Sequence, residues 1–174
     1  MSSVSRATFA AATAVTAVAI TASPAAAWAG GPVSANAGTP ISIQMGTYPL
    51  ITCPFSALNG TINAGGMLNI TTATFNACTF SGSPPVTVTA HYLPWSGLLN
   101  GGSATLNGVR LSLLIDVGNP ILCGYSGNLT GTYTGTASPV TASFSNTFTK
   151  VTGPLFCSST ITFSSTYVLT GSGL

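Results

Sequence analysis

Charge is almost missing from this sequence. Its 174 residues hold one acidic side chain, Asp116, three cations, Arg6, Arg110 and Lys150, one histidine, His91, and no glutamate. So few cations leave no basic stripe to neutralise phosphates, which excludes nucleic-acid binding by electrostatics. A lone carboxylate side chain provides no pair for acid/base work, and one histidine without a second ligand gives a metal no site. No cofactor is expected. Long hydrophobic runs are missing too. None reaches the roughly 20 residues of a spanning helix, so no transmembrane segment is expected in the mature chain. A closed membrane barrel could hide short alternating runs, but the aromatics do not recur at strand ends as girdles.

What is present is apolar and hydroxylated: 45% hydrophobic residues, 21 Ser, 27 Thr and 20 Gly. The first thirty residues read as an address. Arg6 supplies a small positive n-region, Thr8 to Ile20 an Ala/Val-rich h-region, and Ala25-Ala26-Ala27 and Ala27-Trp28-Ala29 two A-x-A cleavage sites. A signal peptide over 1–29, cut after Ala27 or Ala29, predicts a secreted or cell-envelope protein. No lipobox cysteine follows the h-region. Losing Arg6 leaves Arg110 and Lys150 against Asp116, a formal net charge of +1. A chain so neutral stays soluble through hydroxyls and amides, or associates.

Residues 30–174 read as one all-β domain. In Val86-Thr87-Val88-Thr89-Ala90-His91-Tyr92 apolar and polar residues alternate, placing Val86, Val88, Ala90 and Tyr92 on one face. Val109, Leu111, Leu113, Ile115 and Val117 repeat the pattern, with Arg110, Ser112 and Asp116 opposite and Leu114 as the exception. Ile161, Phe163, Tyr167 and Leu169 mark a last strand. Turn sequences such as Asn59-Gly60, Gly82-Ser83-Pro84-Pro85, Asn107-Gly108 and Gly118-Asn119-Pro120 separate these runs. The expected architecture is an antiparallel β-sandwich of about eight to ten strands.

An internal repeat suggests two similar halves. Ile51-Thr52-Cys53-Pro54-Phe55-Ser56 recurs as Ile121-Leu122-Cys123-Gly124-Tyr125-Ser126, Leu58-Asn59-Gly60-Thr61 as Leu129-Thr130-Gly131-Thr132, and Thr72-Ala73-Thr74-Phe75 as Thr141-Ala142-Ser143-Phe144. Alternation in both copies points the cysteine inward. Four cysteines in an exported chain allow two disulfides in three connectivities. Their gaps of 25, 45 and 34 residues lack the short spacing of a zinc site. If each half closes on itself, the pairs are Cys53–Cys78 and Cys123–Cys157. Each loop would stabilise the fold by about 3–4 kcal/mol on a chain-entropy basis.

Chemistry has few carriers. His91 precedes Leu93-Pro94-Trp95, and Asp116 is the single side chain that could orient it as a base. No G-x-S-x-G elbow presents a nucleophile, and serine is too abundant to single one out. Alternation puts His91 on a hydroxyl-rich face, a surface or hydrogen-bonded histidine. Arg110 and Asp116 share a strand face but stand about 20 Å apart along it. Thr130, Thr132, Thr134 and Thr136 form a row of the kind seen on ice-facing surfaces, or a plain polar strand face. Glycosylation sequons at Asn59, Asn69 and Asn128 are expected by chance in so Thr-rich a chain.

The ordered set Ile51-Thr52-Cys53, Phe75-Asn76-Ala77-Cys78, Leu93-Pro94-Trp95 and a later cysteine pair resembles secreted bacterial proteins described as PraB-like activators of alkane oxidation, with related actinobacterial secreted proteins. The resemblance runs from about Cys53 to Tyr167. It implies a non-catalytic extracellular or envelope protein that meets hydrophobic small molecules, biosurfactants or cell-surface components. The alternative reading is a structural, self-assembling component of the cell surface or biofilm matrix. It draws on β-rich windows at Pro120–Tyr125 and Ser159–Leu169 that could pair edge to edge.

Overall fold

The computed structural model describes residues 27–47 and 50–174, so most of the expected signal segment lies outside the described residues. Most of the described residues lie in twelve strands: β1 (Gly31–Ala37), β2 (Ile41–Gln44), β3 (Ile51–Cys53), β4 (Phe55–Ile62), β5 (Met67–Asn76), β6 (Thr79–Phe80), β7 (Val86–His91), β8 (Trp95–Asn100), β9 (Ser103–Ile115), β10 (Ile121–Thr134), β11 (Val140–Thr152) and β12 (Thr160–Thr170). No helix occurs among the described residues, as the lack of helical periodicity predicts.

The sheet is a closed barrel and not the expected sandwich. Eight strands follow one another in the order β1-β4-β5-β8-β9-β10-β11-β12, and β12 returns to β1 through Ser34↔Thr170 to Ala37↔Tyr167. Every pairing is antiparallel. Inside-outside alternation is the same in a sandwich and a barrel; closure rests on long-range pairing, which period-two patterns do not encode. Breaks in register between β4 and β5, β9 and β10, and β10 and β11 bend the strands for closure. Gly60 marks one of them. A Cβ there would run into the carbonyl oxygen of Asn69, so only glycine permits the approach.

Four long strands extend past the ring. β9 pairs through Ser103–Asn107 with β8 and through Arg110–Ile115 with β7. β12 pairs through Tyr167–Thr170 with β1 and through Thr162–Ser164 with β2, which leads to β3 and β6. Of the windows expected to offer edges, Ser159–Leu169 lies mostly in β12, flanked by β11 with β1 and β2, whereas in Pro120–Tyr125 only Gly124 and Tyr125 pair with both β9 and β11, and Ile121–Cys123 pair with β9 alone.

One apolar cluster fills the interior from end to end. Leu58, Leu68, Leu99, Leu106 and Leu169 meet within the ring, while Ile41, Ile43, Ile51, Leu113, Phe148 and Phe163 pack beyond it. The void left inside the ring is only about 20 Å³. That is one water's worth, so this barrel is packed and not a ligand container.

Both disulfides have the expected partners, Cys53–Cys78 and Cys123–Cys157. All four cysteines are buried. The repeat copies fall on two hairpins, β4–β5 and β10–β11, but they pair differently. Gly60 faces Ile70 in the first, whereas Gly131 faces Phe144 in the second. Phe55 also departs from its counterpart: it is exposed because the chain breaks at Pro54 between β3 and β4, while Tyr125 stays buried in continuous β10.

Candidate functional site

The outer face where β7, β9, β10 and β11 adjoin carries an open groove of about 390 Å³. Register explains its shape. His91 stands opposite Arg110, Ser112 opposite Thr89 and Gly124, and Gly124 opposite Thr152. Gly124 contributes no side chain at the centre, and a Cβ added there would meet the Thr152 methyl group. On the far side Leu122, paired with Leu114, and Val151 are both exposed.

Tyr92 was expected inside with Val86 and Val88. Those two are buried, but Tyr92 is 73% exposed. Its φ of 57° lies in the left-handed region, which ends the alternation of β7 and turns the side chain outward. The ring then lies beneath Arg110, whose guanidinium carbon is 4.5 Å from the ring centre. This cation–π contact places the guanidinium over the ring, and a guanidinium has five N–H donors with which to bond an acceptor.

His91 is exposed, with Nε2 2.8 Å from Ser112 Oγ. Asp116 does not reach this pair; its Oδ1 accepts a hydrogen bond from Gly118 N at 3.3 Å in the turn after β9. Leu93 is half-buried and Pro94 exposed. Trp95 is buried, and its Nε1 donates to the His91 carbonyl oxygen at 2.9 Å, fixing the corner between β7 and β8. Of the His91–Leu93–Pro94–Trp95 motif, His91 therefore faces the groove, while Trp95 belongs to the core.

Beyond the groove, a short loop after β11 projects two apolar side chains. Leu155 is 97% and Phe156 73% exposed. The loop is pinned: Lys150 Nζ donates to the carbonyl oxygens of Pro154 at 3.3 Å and Cys157 at 3.0 Å, and Tyr125 Oη donates to that of Ser158 at 3.1 Å. Burial pushes the Tyr125 phenol up to about 12. Phe156 and Val117 also border an apolar hollow of about 200 Å³ with Met45, Phe80 and Ile121.

The threonine row is shorter than expected. Thr130, Thr132 and Thr134 are exposed on β10, which ends before Gly135, and Asn146 Nδ2 already donates to Thr130 Oγ1 at 2.8 Å. Among the described residues no cluster of three metal-ligating side chains occurs, and no helix is long and apolar enough to cross a membrane.

Sequence reasoning missed Ser112, one serine among 21, and the outward turn of Tyr92, which depends on one backbone angle. Leu155-Phe156, set between Gly153-Pro154 and Cys157, could have been found as two large apolar residues in a turn. No family model, curated protein or solved structure matches the chain.

Proposed function

We propose that this chain is a non-catalytic secreted or cell-surface protein, an accessory factor that touches hydrophobic material such as alkanes, biosurfactants or apolar surfaces. One observation carries the reading. Of the eleven large apolar side chains exposed among the described residues, six belong to one end: Leu114, Val117, Leu122, Val151, Leu155 and Phe156. Single exposed apolar residues are ordinary on any surface; a grouping of them at one end marks a contact surface. The Cys123–Cys157 bridge and the Lys150 bonds hold that end rigid, so contact does not require ordering a loose loop. Disulfides persist in oxidising compartments, which supports the export suggested by the leader.

The absence of an acid beside His91 and Ser112 favours a binding role over a triad. The self-assembling alternative keeps a shorter edge than the sequence suggested: Ser159–Leu169 lies between β11 and β1 with β2, while Ile121–Cys123 pair with β9 alone.

Adsorption to hexadecane droplets tests the proposal. The native chain should partition to the droplets, and Leu155→Ser/Phe156→Ser should lose most of that partition while melting at the same temperature. Equal partition of both proteins, or none by either, would overturn the reading.

A further inference from the structure

The interior void is too small for a ligand, and the hollow beside Phe156 carries no polar group to orient one. The groove has both features of a small-molecule site: a volume of about 390 Å³ and a few convergent polar groups beside apolar ones. Its polar end is unusual in this chain. Arg110 is one of two cations among the described residues, and it makes no ion pair there. Asp116, the one acidic side chain, is held in a turn six residues further along. A cation without a counter-charge, set over the Tyr92 ring, keeps a planar fork of N–H donors for an incoming anion.

We propose that the groove binds a single-chain anionic amphiphile, with its carboxylate or sulfate on Arg110 and its alkyl chain along Leu122 and Val151. This deepens the reading of a protein that meets hydrophobic material and rests on it. A carboxylate matches the guanidinium fork with two parallel hydrogen bonds. Ser112 adds a third group. When the His91 proton sits on Nε2, that nitrogen donates to Ser112 Oγ, and the serine hydroxyl hydrogen is free to donate to the anion. From Arg110 the outer face passes through Ser112 and the bare Gly124 to Leu122 and Val151, from charged through hydroxylated to apolar. That gradient matches an amphiphile from head to tail. A neutral hydrocarbon would leave the Arg110 charge unanswered, and a small anion such as acetate would leave the apolar half uncovered.

Isothermal titration calorimetry with dodecanoate, kept below its micelle concentration, tests the site. The native chain should bind one dodecanoate, bind dodecanol more weakly, and show no heat with acetate. Arg110→Gln should weaken dodecanoate by about tenfold or more with melting unchanged, because a charge-assisted bidentate pair is lost at an exposed position. Leu122→Ser should weaken both dodecyl compounds. Equal affinity for dodecanoate and dodecanol, or indifference to Arg110→Gln, would overturn the proposal. No dodecanoate binding by a protein that still adsorbs to hexadecane would overturn this inference alone. Loss of both would overturn the functional reading as well.

Discussion

The indole N–H of Trp28 donates to the carbonyl oxygen of Leu99 across 3.2 Å, and its ring packs 5.8 Å from that of Tyr133. Trp28 is buried, ahead of the first strand of the barrel, and a Cβ on Gly66 would press against its indole nitrogen.

For a chain exported with cleavage at one of the two A-x-A sites, that contact favours the first. Cutting after Ala29 would discard a buried tryptophan, whereas cutting after Ala27 keeps it. Amino-terminal sequencing of exported protein should therefore begin at Trp28. Trp28→Ala should cost about 3–5 kcal/mol in denaturant unfolding. A mature chain starting at Gly30 with undiminished stability would contradict both expectations.

Alkali should destabilise the fold. Burial raises the phenols of Tyr125, to about 12, and Tyr167, the latter despite its 2.9 Å hydrogen bond with Ser56. In the unfolded chain tyrosines ionise near pH 10. Between about pH 10 and 12 the unfolded state therefore binds fewer protons than the folded one, and stability falls as pH rises. Urea midpoints at pH 8 and pH 11.5 should differ, with the lower at pH 11.5. Tyr167→Phe should reduce the alkaline loss while costing about 1–3 kcal/mol at neutral pH, because the Ser56 hydroxyl is left alone in the core.

Ser165 has a buried hydroxyl with no hydrogen-bond partner. Removing an unsatisfied polar group from an apolar setting relieves its desolvation cost, so Ser165→Ala should stabilise the protein by about 1 kcal/mol. A lower melting temperature for this variant would show that the hydroxyl is satisfied in solution.

His91→Ala and Asp116→Asn should leave hexadecane adsorption nearly intact, since the two groups do not meet. Trp95→Ala should instead lose about 3–5 kcal/mol of stability, as a buried ring tied to the His91 carbonyl. An activity abolished by His91→Ala in a folded protein would refute the non-catalytic reading.

Some of this was legible from residue order alone. Val86 and Val88, then Val109, Leu111, Leu113 and Ile115, and Ile161, Phe163, Tyr167 and Leu169 face inward as alternation predicts, whereas Val117, expected with them, is exposed beyond the end of β9. The repeat correctly paired the cysteines, because each hairpin region carries its own bridge. Closure was not legible: β1 meets β12 across more than a hundred residues, and nothing in either strand names the other. Nor was the groove. Alternation put Arg110 and Ser112 on the outer face, but only the φ of Tyr92 brings a ring beneath the guanidinium.

The four strands β9 to β12 run unbroken through both ends of the molecule. No cut across it separates two independent sets of backbone ladders, which couples the two ends through shared strands. Amide protons of β1 and β4 should then exchange with solvent mainly through whole-molecule unfolding. Anything held in the groove at the other end would slow that exchange without touching either strand, through its effect on the shared equilibrium.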